Sequence, residues 1–90
     1  MPVKVKVLFF ARLREELGVK EVFVELNRDD PTLRDVLDEV SLRIPKASFL
    51  TRLLGEKRVY VMLNGEYVKS LDRRVRDGDE LAIFPPTSGG

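Results

Sequence analysis

The sequence predicts an α+β domain in which one capped helix lies across a mixed sheet. Three observations lead there. Val3, Val5, Val7 and Phe9 alternate with Lys4, Lys6, Leu8 and Phe10, the period of two of a strand with one face on a core. Leu33, Val36, Leu37, Val40 and Ile44 repeat at helical spacing behind an N-cap residue, Thr32. Asn64-Gly65, set between two short apolar runs, is the strongest short-range signal for a hairpin.

The elements follow in order. After the first strand, residues 11–17 read as a short helix, with Gly18 as its C-terminal stop. Val22, Val24 and Leu26 alternate with Glu21, Phe23 and Glu25, giving a second strand that forms a hairpin with the first. Thr32 then opens the main helix, with Asp35 three residues later. This is a capping box with Asp where Glu or Gln is usual. Pro31 precedes the helix, Pro45 ends it, and Asp35, Asp38 and Glu39 lie on its outer side. A helix with a single apolar stripe lays that stripe on a sheet. Residues 46–58 carry the weakest pattern of the chain, and within them residues 48–55 read as a second short helix. Residues 59–63 form a strand, with Glu66, Tyr67 and Val68 as its return arm. Asp77-Gly78-Asp79 makes a turn, residues 80–84 the final strand, and Pro85-Pro86 stops further sheet pairing. This order puts the first and last strands side by side and parallel in the centre. The expected organisation is one domain over residues 1–86 and a mobile tail over residues 87–90, whose side chains have nothing to anchor them.

Composition narrows the function. A chain of 90 residues makes one domain that buries roughly 60–70% of its unfolded surface. No apolar run approaches the ~18–20 residues of a membrane helix. The N-terminus lacks the apolar core of a signal peptide, so a cytoplasmic location is expected. Sixteen Lys and Arg against fifteen Asp and Glu leave a net charge of +1, too little to point to nucleic acid or to an anionic membrane as partner. There is no Cys, hence no thiolate nucleophile or thiolate metal site, and no His, the most frequent general base and metal ligand. The reading is a carrier without catalytic groups of its own, binding no cofactor and no metal.

The remaining charged motifs are ordinary. Asp29-Asp30 and Asp77-Gly78-Asp79 sit at turns, where Asp is favoured for its hydrogen bonds to nearby backbone, and neither brings the further oxygen ligands of a calcium loop. Arg73-Arg74-Val75-Arg76 lacks the wide stripe and interleaved aromatics of a nucleic-acid surface. It reads as a solvated surface, or at most as a rim for an acidic partner.

The outer face of the sheet is less ordinary. If Val5, Val7, Phe9, Val59, Val61, Leu63, Leu81 and Ile83 face the core, then Leu8, Phe10, Tyr60, Met62, Ala82 and Phe84 face out. A solvated sheet face normally carries polar residues. Leu8, Phe10, Met62, Ala82 and Phe84, with Tyr67 nearby, are read as a docking patch at the root of the tail. The competing expectation is that residues 46–58 fold over this face and make it part of the core.

At three places the chain resembles the molybdopterin synthase sulfur-carrier (MoaD) family. The opening Val7-Leu8-Phe9-Phe10-Ala11-Arg12-Leu13-Arg14-Glu15 is similar to that family's start, and Val61-Met62-Leu63-Asn64-Gly65-Glu66 to its hairpin. The ending from Asp77-Gly78-Asp79-Glu80 through Phe84-Pro85-Pro86 to Gly89-Gly90 is similar to its C-terminus. Residues 46–58 have no clear counterpart. The resemblance implies a β-grasp, ubiquitin-like fold, and relatives among the thiamine sulfur carriers (ThiS), the ubiquitin-related modifiers and the small archaeal modifiers. It also implies partner contacts through Phe10, Tyr67 and Phe84.

The tail agrees with that resemblance on physical grounds. A carboxylate becomes electrophilic only after adenylation, so a partner activating enzyme must use ATP on it. Gly89 and Gly90 have no Cβ and can thread a narrow channel to that enzyme's active site. The activated Gly90 can then accept sulfur as a thiocarboxylate, or be passed to an amine. The partner supplies the catalytic groups. Three functions compete: a sulfur carrier serving the large subunit of molybdopterin synthase, a modifier joined to lysines of target proteins, and a plain binding module with an idle tail.

Overall fold

The structure, a computed structural model, describes residues 2–85. Five strands form a single sheet: β1 (Val3–Phe9), β2 (Glu21–Leu26), β3 (Tyr60–Leu63), β4 (Glu66–Val68) and β5 (Glu80–Phe84). Their order across the sheet is β2-β1-β5-β3-β4. The first and last strands are parallel neighbours in the centre, with Lys6 opposite Glu80 and Phe9 opposite Ile83. The other pairs are antiparallel. This is the mixed sheet expected of a β-grasp domain.

Strand alternation sets which residues make the core. Val5, Val7, Phe9, Val61, Leu81 and Ile83 are all essentially inaccessible, as their spacing predicts. The helix α1 (Ala11–Leu17) follows β1, buries Leu13 and Leu17, and ends at Gly18 in the left-handed region (φ 75°). The main helix α2 (Leu33–Arg43) buries Leu33, Val36, Leu37 and Val40, while Ile44 packs half-buried against the same core. Its capping box is complete. The Asp35 N–H donates to Thr32 Oγ1 at 3.5 Å, and the Thr32 N–H donates to Asp35 Oδ2 at 2.8 Å. Arg28 closes on the other carboxylate oxygen of Asp35 at 2.8 Å. The segment before Val75 lies against the start of α2: the Leu33 N–H donates to the Arg73 carbonyl, and the Val75 N–H to that of Pro31, both at 2.9 Å.

Residues 46–58 fold as a 3₁₀ turn (Pro45–Phe49) running into the helix α3 (Leu50–Gly55). Ala47, Leu50 and Leu54 join the core, and the segment packs against α2. It therefore lies on the helical side of the sheet and leaves the outer face uncovered. The sequence anticipates a short helix here; it misses the 3₁₀ turn that Pro45 starts.

The turns carry the acidic motifs. Asn64 and Gly65 both adopt left-handed backbone (φ 52° and 81°), as a two-residue hairpin loop requires. Asp77 Oδ1 accepts from the Lys4 N–H at 2.9 Å, and Asp79 Oδ2 from the Arg76 N–H at 2.7 Å. These carboxylates bind backbone and side-chain donors of their own chain, which is turn chemistry. The expected tail over residues 87–90 lies outside the described residues, as do Met1 and Pro86.

Candidate functional site

The outward residues of the two central strands change character along the chain. On β1 they run Lys4, Lys6, Leu8 and then Phe10 just past its end; on β5 they run Glu80, Ala82, Phe84. Because these strands are parallel and adjacent, the two gradients align. One end of the outer face is charged, where Lys6 pairs with Glu21 at 3.5 Å and lies over the Phe23 ring. The other end is apolar, and it is the end at which β5 finishes.

Two rows of side chains make up the apolar end. The first crosses four strands in register: Leu8 opposite Ala82, Ala82 opposite Met62, Met62 opposite Tyr67. The second is aromatic. The Phe10 N–H donates to the Ile83 carbonyl at 3.2 Å, carrying the parallel ladder one residue past β1. That bond seats the Phe10 ring flat against Phe84, with centroids 4.6 Å apart and planes 12° apart. Tyr60 stands opposite Phe84 in the antiparallel pair, and its ring meets Tyr67 edge to face at 5.8 Å. The rows thus join through the two tyrosines. Leu8, Tyr60, Met62, Ala82 and Phe84 are half-buried, Phe10 is 37% exposed and Tyr67 50% exposed.

The structure places Leu8, Phe10, Met62, Tyr67, Ala82 and Phe84 on this one surface. It adds Tyr60 to them. Alternation puts Tyr60 on the outer face, but only the cross-strand register reveals it as the link between Phe84 and Tyr67. Gly89 and Gly90 lie outside the described residues; the last one described, Pro85, directly follows Phe84.

The chemistry this face offers is association. Its atoms are almost all carbon, and its aromatics expose flat surfaces of the kind enriched at protein interfaces. Among the described residues, no polar or charged side chain is buried, and no group of three or more His, Cys, Asp or Glu side chains could hold a metal ion. Also among the described residues, no helix is long and apolar enough to cross a membrane.

Comparison with known proteins finds relatives along nearly the whole chain. The model of the ThiS family matches residues 7–90, which takes in both aromatic residues of the stack and runs to Gly90. A molybdopterin synthase sulfur carrier subunit of Chlamydomonas reinhardtii is 38% identical over 89 residues, covering 98% of this chain and 100% of the relative. Small archaeal modifier protein 3 of Haloferax volcanii is 36% identical, covering 98% of this chain and 100% of its own length. Among solved structures, that of SAMP1 from Haloferax volcanii superimposes with a TM-score of 0.79 at 34% identity, covering 97% of this chain and 99% of that one.

Proposed function

The chain belongs to the ThiS family, and from that premise we propose that it is the sulfur carrier of molybdopterin synthesis, with Gly90 as the residue that carries the sulfur. An activating enzyme adenylates the Gly90 carboxylate with ATP and releases pyrophosphate, and sulfide-level sulfur from a donor then attacks the acyl carbon and displaces AMP to give a thiocarboxylate. The large synthase subunit takes the sulfur from there. The chain supplies no catalytic group; it supplies a docking face and a terminus that fits a channel. The observation that carries this reading is the alignment of the two outward gradients, which sets the apolar patch at the end of β5. A partner gripping Phe10, Phe84, Ala82, Met62, Leu8 and Tyr67 holds the root of the tail, and so fixes where its end reaches. Full-length matches to molybdopterin synthase sulfur carrier subunits, and a family match that runs to Gly90, support the assignment.

A second reading shares the same parts. Small archaeal modifier protein 3 is matched along its whole length, which favours a protein modifier joined through Gly90 to lysines of target proteins. Intact mass spectrometry of the protein from its native host separates them. A terminal exchange of one oxygen for sulfur marks the carrier. After tryptic digestion of the host's proteins, a branch spanning residues 77–90, the stretch after the last basic residue Arg76, on lysines of other proteins marks the modifier. A chain that shows neither, in cells making molybdenum cofactor, overturns both.

A further inference from the structure

The aromatic row does not stop at the docking patch. Beyond Tyr60 and Tyr67 the surface dips into a cavity of about 230 Å³. Leu54 and Val59, both buried, form its floor, and the two tyrosines form a wall. Lys57 and Lys69 are exposed and stand at its rim. No carboxylate lines it, and among the described residues neither lysine pairs with one. Two ammonium groups at the mouth of an apolar hole, with no counter-charge among the described residues, describe the chemistry of what fits there.

Lys57 and Leu54 come from the segment spanning residues 46–58, which packs Leu50 and Leu54 into the core and turns toward β3 after α3. Lys57 is held in left-handed backbone (φ 60°), with its N–H donating to the Leu54 carbonyl at 3.0 Å. A non-glycine residue in that region is strained, and it persists where the surroundings over-determine it. The turn after α3 thus fixes the Lys57 backbone beside the cavity.

We infer that this cavity is a specificity seat for the activating enzyme: it takes an apolar side chain of that enzyme, flanked by carboxylates that meet Lys57 and Lys69. The inference rests on the carrier reading above, and on the continuity of the cavity with the proposed docking face through the Tyr60–Tyr67 contact. The floor and wall favour an apolar group, because burial there removes it from water. The lysines, at the rim and in water, steer an acidic segment and reject a basic one more than they add raw affinity. The lysine rim would then choose among activating enzymes by charge, while the apolar patch supplies the area of the contact.

The test is ATP–pyrophosphate exchange with the activating enzyme encoded in the same genome, varying carrier concentration at several salt concentrations. Lys57→Glu combined with Lys69→Glu is expected to raise the carrier KM by about tenfold or more, with kcat unchanged, and to flatten the rise of KM with salt seen for the native chain. Lys57→Gln with Lys69→Gln should move KM the same way by less, and Lys57→Arg with Lys69→Arg should restore it. The neutral pair keeps the test open if the charge-reversed chain fails to fold, which its thermal midpoint reports. Unchanged KM and an unchanged salt slope in these variants, with the native chain active, overturn the inference and leave the carrier reading standing. A native chain that supports no exchange sinks the carrier reading itself. A dimer of the free chain in sedimentation, lost in the charge-reversed variant, would assign the seat to a second copy and also overturn the inference.

Discussion

Phe10 and Phe84 stack face to face, 4.6 Å between centroids, although 74 positions separate them in the chain. Neither ring is in the core. The contact joins the end of one central strand to the end of the other, at the point where β5 hands over to Pro85. An aromatic pair contributes about 0.5–1.5 kcal/mol beyond its buried area. That is small beside the stability of a domain, which leaves the surface they build as their larger role.

Replacing Phe84 separates those roles. Phe84→Glu is expected to cost the fold roughly 1–2 kcal/mol, from the lost stack and partial burial. Against a partner, a charge at the centre of an apolar interface costs at least ~2 kcal/mol on top, about thirtyfold in affinity. Thermal unfolding measures the first loss, and the carrier KM in the exchange assay the second. Equal losses in both would return Phe84 to a purely structural role.

Asn64 tests the link between the two turns. Its side chain donates to Asp79 Oδ1 and accepts from the Glu80 N–H, both at 2.9 Å, while its backbone is left-handed. Asn64→Ala removes both bonds and leaves a side chain that resists that backbone, for an expected loss of about 1–3 kcal/mol. Asn64→Gly loses the same bonds but relaxes the backbone, so it is expected to cost less. Urea midpoints of the two variants check the order.

The main helix predicts a graded pair. Thr32→Ala breaks the capping box and is expected to cost about 1 kcal/mol, a fall of about 4–8 °C in Tm for a domain of this size. Leu37, 1% exposed on the buried face of the same helix, is expected to cost about 2–5 kcal/mol as Leu37→Ala. Neither touches the outer face, so exchange kinetics measured below both unfolding transitions should match the native chain.

These positions also show what the chain states openly and what it withholds. Thr32, Asp35 and the Leu33–Val40 stripe are local signals, because a cap and a helical face are settled within a few residues. The outward set Leu8, Phe10, Met62, Ala82 and Phe84 is legible too, because alternation assigns a face before any strand finds its neighbour. Register is not local. That Tyr60 faces Phe84, and so bridges to Tyr67, depends on which residue of β3 meets which of β5. The cavity rim combines Lys57 and Lys69 from either side of the β3–β4 hairpin, so no spacing in the sequence announces it. Residues 45–49 stay hidden for another reason. A 3₁₀ turn is too short to show a period, and Pro45 reads equally well as a stop or as a first turn.

The last prediction concerns the terminus, and it decides the functional proposal. Deleting Gly90 is expected to abolish adenylation while leaving the fold intact. Without that residue the reacting carbon retreats by about 3.5 Å, one extended residue. Reacting atoms must meet within a narrow distance, and a misplacement of even ~1 Å can cost ~10²-fold. On the proposed function, a partner's grip on Phe10 and Phe84 fixes the root of the tail and therefore how far its end reaches, and sliding the domain forward to compensate would break those proposed contacts. Among the described residues, Val5, Val7, Leu37, Val61, Leu81 and Ile83 are all essentially inaccessible and none of them depends on Gly90 for a contact within that range. Thermal unfolding of the truncated chain should therefore match the native midpoint. The deciding measurement is ATP–pyrophosphate exchange, run on the full chain and on one ending at Gly89. Equal rates would mean that Gly90 is not the reacting group, and the carrier and modifier readings would fall together.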